Sequence, residues 1–421
     1  MILMSLQKYL ISQFFPNLDK QIFTLSIGRL LSEIGTGFTL FYAPIFFVNQ
    51  VGLSSTSVGI ALGSSQISGI IARFLSGSFS DSQKFGRRKT LLLSSIISAL
   101  ASIVMAIANN FYTVIIGNLL LGLGIGLYWP ANEAIVADLT VQTERKEAYA
   151  VTKLADNIGF QLGVIAGGIA VNFTGAYRSL FIIDAISFLI FAVVIYLNIQ
   201  ETYKPNPLEL QTDRKKSIDG WLQAFRDQNL IIFIVVNIFF TFYASQIYST
   251  MPLYLSNFAL GNFSPLIIST IFAGYTALTV IFQLPVARKL GDLSHPQALI
   301  ISAILWGIGF IAIDITNIVE IGHIFWTILA FSLFAIAIIS YHPSAAALIA
   351  DLAPESLRGI YSAINSQCWA IGYLIGPPLG GWVLDGKEII VKIFWLGIAI
   401  SAGITIIFLQ HLDRRMISKK I

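Results

Sequence analysis

Apolar residues run along this chain in twelve long blocks separated by polar breaks, and within the blocks polar and apolar positions do not alternate. The blocks cover approximately 22–48, 56–80, 90–108, 111–138, 148–173, 178–199, 229–254, 264–288, 296–314, 321–350, 358–383 and 388–410. At 1.5 Å per residue, each block as a helix can cross a hydrocarbon layer of about 30 Å, and the longer ones can tilt. Strands of an outer-membrane barrel would be about ten residues long with polar and apolar positions interleaved. The pattern therefore predicts an all-α polytopic membrane protein with twelve transmembrane helices. One sizeable hydrophilic interval, 200–228, splits six spans from six. The expected organisation is a six-helix bundle over 1–199, a linker over 200–228 and a second six-helix bundle over 229–421.

An internal repeat supports that division. Residues 128–168 align without a gap onto 341–381 at an offset of 213, with 13 of 41 positions identical. The identities include Tyr128/Tyr341, Pro130/Pro343, Asp138/Asp351, Arg145/Arg358 and four paired glycines. Two parallel halves related by an axis along the membrane normal are an architecture of alternating-access transporters, with the substrate site between the halves.

Composition agrees: of 421 residues, 56% are hydrophobic and 11% charged, against about 25% charged in soluble proteins. The net charge of +4 gives no reason to expect a nucleic-acid partner. The position of the basic residues says more, because Lys and Arg are retained on the cytoplasmic side. With the N-terminus inside, 21 of the 26 fall in cytoplasmic loops or at the cytoplasmic ends of spans; Arg178, Lys387 and Lys392 fall on the outer side, and Arg29 and Arg73 lie deeper within spans. Both termini and the linker are then expected in the cytoplasm. Residues 1–21 lack the apolar core and small-residue cleavage site of a signal peptide, which reads as a retained segment. No lipidation motif stands out. A single cysteine, Cys368, excludes an internal disulfide.

The loop after span two reads GSFSDSQKFGRRKT from residue 77. Gly77 permits close helix approach, Asp81 can accept from a neighbouring helix N-terminus, and Arg87, Arg88 and Lys89 after Gly86 anchor the basic side. With twelve spans and the repeat, this resembles the major facilitator superfamily, whose loop signature is G-x-x-x-D followed by a basic run. Here two extra residues separate Asp81 from Gly86, and Lys84 takes the place of the first Arg. The matching loop after span eight, PVARKLGDLSHPQAL from 285, is degenerate, with Gly291 at the aspartate position. The resemblance implies a lock among Asp81, Arg88 or Arg87, and Asp138 that stabilises the outward-facing state and breaks as the halves rock.

Span five carries Gly159, Gly163, Gly167 and Gly168, similar to the antiporter motif G-x-x-x-G-P-x-x-G-G with Val164 at the proline position. Span eleven has the full pattern, including Pro377. Generic close packing is the alternative for both stripes. The family's span-four arginine position holds Asn118. Nearly the whole chain nevertheless resembles the bacterial multidrug-efflux type of the drug:proton antiporter branch, through Arg29, the PVARKLGD region and ADLAPESLRGIYSA from 350.

A charge at the centre of a membrane helix costs about 2.5–3.5 kcal/mol on insertion scales and needs a partner, water or a function. Arg29 and Glu33 are four residues apart on one face of span one and can pair. Counting inward from the helix start puts them roughly 10 and 16 Å deep. Glu133 and Asp156 fall in the cytoplasmic half, so three carboxylates share one Arg. An excess of carboxylates favours a retained proton. The proton-coupling candidates are Glu33, then Asp156 and Glu133, with Arg29 tuning them; the alternative is a permanent salt bridge tying spans one, four and five. Asp184 and Asp314, nearer the external side, are expected to be solvated or helix-capping.

The resemblance implies a substrate path lined by spans one, four, seven and ten. Tyr128 and Trp129 on span four, and Tyr341 and His342 at the equivalent depth of span ten, suit a flat amphipathic or cationic solute. Asn237, Thr241 and Gln246 on span seven complete the candidate substrate site, and Thr36, Thr39 and Tyr42 on span one are further possibilities. Pro130 and Pro343 are expected to kink their helices. The alternative is that the aromatics only pack between helices.

Scattered histidines without H-E-x-x-H, and no G-x-x-x-x-G-K-[ST] loop, argue against an enzyme or an ATP-driven pump. No metal or cofactor is expected. The expectation is a secondary transporter in the bacterial inner membrane, working as a monomer on a small molecule in the lipid bilayer by proton-coupled export. A metabolite uniporter or symporter of the same fold, and more remotely a non-transporting sensor, are the alternatives.

Overall fold

The computed structural model of the chain describes residues 18–80, 82–141, 145–203, 220–259, 263–316, 318–319, 321–354 and 357–418. Spans one to six are Lys20–Asn49, Ser55–Ser80, Gly86–Ile107, Phe111–Asp138, Arg145–Thr174 and Tyr177–Asn198. Span seven is Gln228–Tyr248 continued by Thr250–Asn257, and spans eight to twelve are Pro265–Leu290, His295–Ile315, His323–Leu352, Arg358–Leu384 and Glu388–Ser418. Among the described residues, eleven helices are both long and apolar enough to cross a membrane. Span eleven has the length, 27 residues, but Asn365, Gln367, Pro377, Pro378 and five glycines dilute its apolar content.

Short polar residues set several helix starts by taking up N–H groups that the first turn leaves unpaired. Asp19 accepts from Gln21 N at 2.7 Å and Asp227 from Asn229 N at 2.9 Å. Asn110 with Thr113, and Ser294 with Gln297, form reciprocal capping boxes. Span seven breaks where Pro252 supplies no N–H to the Tyr248 carbonyl; there the Ser249 hydroxyl donates back to Ser245 O at 2.7 Å. Spans four and ten run as continuous helices through Pro130 and Pro343.

Span one packs on spans five and six, span four on spans two and three, and span three on span six. In the later spans, nine packs on ten and twelve, seven on eleven and twelve, and eight on ten. Three pairings cross between the first six spans and the last six: two against eleven, five against eight, and one against the Thr250–Asn257 part of seven. Glycines set the closest approaches. A Cβ on Gly163 would run into the Ile34 carbonyl, and one on Gly37 into the Phe160 carbonyl, so spans one and five touch backbone to backbone. Gly59 and Gly381 play the same part for spans two and eleven, against Pro377 and Ser55. Gly77 does not: a Cβ there would meet nothing within 4 Å, so the expected close approach at the loop motif is not made.

The face bearing Arg87, Arg88 and Lys89 is called the basic face below, and its opposite the far face. The crossings between the two sets of six spans gather toward the far face. Asn49 donates to Asn257 Oδ1 at 2.9 Å, Phe41 meets Phe272 edge-on with centroids 4.4 Å apart, and Asp385 accepts from Ser55 N and Thr56 N at 2.8 and 2.7 Å. In this conformation the far face is closed.

Candidate functional site

Arg29, Glu33 and Asp156 form one buried cluster, each less than a tenth exposed. The Arg29 guanidinium pairs with Glu33 one turn along span one, and its Nε donates to Asp156 Oδ1 on span five at 3.0 Å. It donates also to Ser32 Oγ at 3.2 Å, and lies 3.9 Å from the centroid of the Tyr128 ring on span four. The cation thus meets two carboxylates, a hydroxyl and an aromatic face, which together offset its desolvation. Glu133 stays outside this cluster: its side chain is exposed, so the expected sharing of one Arg by three carboxylates reduces to two.

A cavity of about 370 Å³ opens beside the cluster, between the first six spans and the last six. Glu33, Asp156 and Lys153 supply its charge, and Trp129, Phe160, Tyr248 and Tyr373 its aromatic surface. Lys153 Nζ sits 4.1 Å from the Trp129 ring centroid. The wall therefore carries both signs of charge beside flat apolar area, which suits a small amphipathic solute.

The residues expected to contact substrate separate into two groups. Trp129 lines the cavity, and His342 is exposed, stacked on Trp369 with centroids 5.4 Å apart and planes 5° from parallel. The others face into helix packing. Tyr128 lies under Arg29, while Tyr341 donates to Asn237 Oδ1 at 2.5 Å and Asn237 in turn to Asn365 Oδ1 at 2.8 Å. Thr241 donates to Cys368 O at 2.9 Å, tying spans seven and eleven, and Gln246 accepts from Thr250 at 2.7 Å. Apart from the Tyr128 hydroxyl, which has no hydrogen-bond partner, these buried groups are already paired inside the protein; a solute reaching them would first have to displace those partners.

At the basic face, Arg87 forms an ion pair with Asp138 and donates to Ala134 O at 3.2 Å. Arg88 donates to Tyr196 O at 2.5 Å. Asp81 lies outside the described residues. Gly86 opens span three with φ +71°, a left-handed conformation that glycine adopts without strain. Arg87 and Asp138 belong to spans three and four of the same half, and the pair is formed while the far face is closed.

A family model described as Major Facilitator Superfamily matches residues 25–262 and again 259–420. The chain belongs to the major facilitator superfamily. It is therefore a membrane transporter, not an enzyme. Among its relatives are the Na(+), Li(+), K(+)/H(+) antiporter of Planococcus maritimus, 24% identical across 93% of this chain and 97% of that one. Multidrug resistance protein 2 of Bacillus subtilis is 24% identical across 88% of this chain and 90% of its own. Multidrug resistance protein MdtH of Salmonella typhimurium is 23% identical across 93% and 94%. Among solved structures, peptide transporter POT in complex with alafosfalin superposes with a TM-score of 0.78 at 17% identity, covering 95% of this chain and 96% of that one. Nucleoside transporter NupG gives 0.75 at 13%, covering 93% and 100%. At these identities the two structures show the superfamily fold.

Within that fold, three residues that the sequence reading passed over or misplaced hold important positions. The Glu201 carboxylate accepts from Arg87 N at 2.9 Å and Arg88 N at 3.1 Å, capping span three from just beyond span six. Asp385 caps span two from the far end of span eleven, across the two halves. Asp184 is completely buried, which corrects its expected solvated placement; it accepts from Thr39 Oγ1 at 2.7 Å and contacts Ser102 Oγ at 2.6 Å. Glu201 and Asp385 each lie within three residues of a helix end, a signal visible in the sequence; the partner helix that each caps is not.

Proposed function

We propose that this transporter is a proton-coupled exporter of small amphipathic organic compounds. The supporting observation is the cavity between the halves, where Glu33 and Asp156 share a wall with Trp129, Phe160, Tyr248 and Tyr373. The names of the multidrug relatives favour the same substrate class. In this reading the basic face is cytoplasmic, following the distribution of Lys and Arg. The halves 1–199 and 229–421, joined by 200–228, rock about the cavity, and the far-face contacts mark an inward-facing state.

Glu33 is the proposed proton carrier. Its carboxylate is held by Arg29, which also holds Asp156, so a proton on Glu33 releases Arg29 to Asp156 alone and changes the charge of the cavity wall by one unit. A cationic solute and a proton then compete for the same carboxylates, which is the elementary requirement for exchange. Trp129 and His342 provide flat surfaces on the two halves, and Asp156 and Lys153 set the local charge. The gating roles of Gly86, Arg87, Arg88 and Asp138 belong to the same proposal, in which they stiffen the basic face of the first half.

An efflux-deficient bacterial host loaded with cationic dyes tests the substrate class. Expression should lower dye retention, and Trp129→Ala should restore it for flat dyes; unchanged retention across a dye panel would reject export. A second reading, exchange of alkali cations for protons, is favoured by the Planococcus maritimus relative. Sodium-driven proton movement in vesicles without any organic solute would select it.

A further inference from the structure

We infer that Asp184 is a second proton-binding site of this transporter, occupied by a proton in the far-face-closed state. Asp184 has no exposed surface and lies where spans one, three and six meet. Its Oδ2 contacts two hydroxyls, Thr39 Oγ1 and Ser102 Oγ, while its Oδ1 has no hydrogen-bond partner and faces the backbone of Gly35. An ionised carboxylate leaving one oxygen unpaired away from water would bear an uncompensated desolvation cost.

The hydrogens can be assigned one by one. Ser102 Oγ lies 2.6 Å from Asp184 Oδ2 and 3.2 Å from Ser98 O. A hydroxyl has a single hydrogen to give. With the proton on Oδ2, the acid donates to Ser102, Ser102 donates to the Ser98 carbonyl, and Thr39 donates to Oδ2, so each hydrogen is used once. With Asp184 ionised, Ser102 must abandon one of its two contacts.

The charged and titratable groups facing Asp184 also favour a proton. Span one presents Arg29 and Glu33; span five presents Asp156 and Lys153 to the same cluster, and span four presents Tyr128. Span three presents serines on the facing side. Arg29 is already committed to Glu33, Asp156 and Ser32, so a third ionised carboxylate would find no direct cation. Beside Glu33 lies a small void of about 10 Å³ lined by Arg29, Glu33, Thr36, Ser95 and Ser98. That is room for about one water, with enough polar partners to hold it.

Infrared spectroscopy of the full-length protein in lipid at neutral pH detects protonated carboxyl groups by their C=O stretch, without any transported solute. Its outcome is therefore separable from the assignment of Glu33 as the coupling residue. Wild-type protein should show a protonated-carboxyl band that is lost in Asp184→Asn. Ser102→Ala and Thr39→Val, which keep the acid, should shift that band without removing it, and they hold the test open should Asp184→Asn fail to fold. Identical carboxyl bands in wild type and Asp184→Asn, or no shift in Ser102→Ala and Thr39→Val, would overturn the proton occupancy.

Discussion

Closure of the far face rests in part on one carboxylate, so Asp385→Ala should shift the balance between the closed and open states. Asp385 accepts from Ser55 N and Thr56 N, the first turn of a helix in the other half, at 2.8 and 2.7 Å. Burial pushes its carboxyl up, but the hydrogen bonds from the Thr56 and Ser55 side chains and backbone outweigh this and hold it below the usual carboxylate range. Loss of such a cap costs about 1 kcal/mol, and the exposure of Asp385 to solvent argues against a larger figure. That energy changes the ratio of closed to open molecules about fivefold. Ser54 also accepts from Ser57 N at 3.1 Å, so span two keeps a cap of its own and should not unravel. Crosslinking of Asn49→Cys with Asn257→Cys reads the closed population, since the native pair is in hydrogen-bond contact across the halves and Cys368 is buried. Asp385→Ala should lower the crosslinking rate in proportion to the closed fraction, by at most about fivefold, the limit that 1 kcal/mol sets. Because the carboxyl is depressed in the closed state, its contribution is complete above the ordinary aspartate value of about 4 and fades as pH falls through the depressed value. A rate indifferent to both the mutation and acidification would refute the cap as a closing contact.

Other perturbations follow from the buried cluster and the glycine contacts. Arg29→Gln strands Glu33 and Asp156, and should cost about 3–5 kcal/mol in detergent unfolding, less whatever protonation of the two acids recovers. Adding Glu33→Gln should restore part of that loss, whereas additive losses would show that the ion pair is not a coupled unit. Gly163→Leu should abolish folded expression by forcing spans one and five apart, while Gly77→Ala, which meets open space, should stay within about 0.5 kcal/mol of wild type. Equal tolerance at both positions, read by thermal unfolding, would contradict the packing described for spans one and five.

The fold was legible because a membrane helix is specified by a long apolar run and by caps such as Asn110 and Ser294, both visible locally. Most span ends fall within a few residues of expectation. Span twelve overran its expected end because its helix continues beyond the apolar run to Ser418 through charged residues that a hydropathy reading excludes. The pairing of Arg29 with Glu33 was legible from helical spacing, and its extension to Asp156 from depth counting. Depth does not fix the direction a side chain faces. Tyr128 and Trp129 share a level, yet Tyr128 packs on Arg29 while Trp129 faces the cavity. Asp184 shows the same limit from the other side: its burial comes from Thr39, Ser102 and Gly35 on two other helices, contacts that exist only once the helices are packed.

Purified protein in vesicles, loaded with a cationic dye and given an imposed pH gradient, tests the central claim most directly. Wild-type protein should drive the dye against its gradient only while the pH gradient lasts, and Glu33→Gln should bind dye but lose that coupling. Dye movement unaffected by the pH gradient, or full gradient-driven transport by Glu33→Gln, would contradict it.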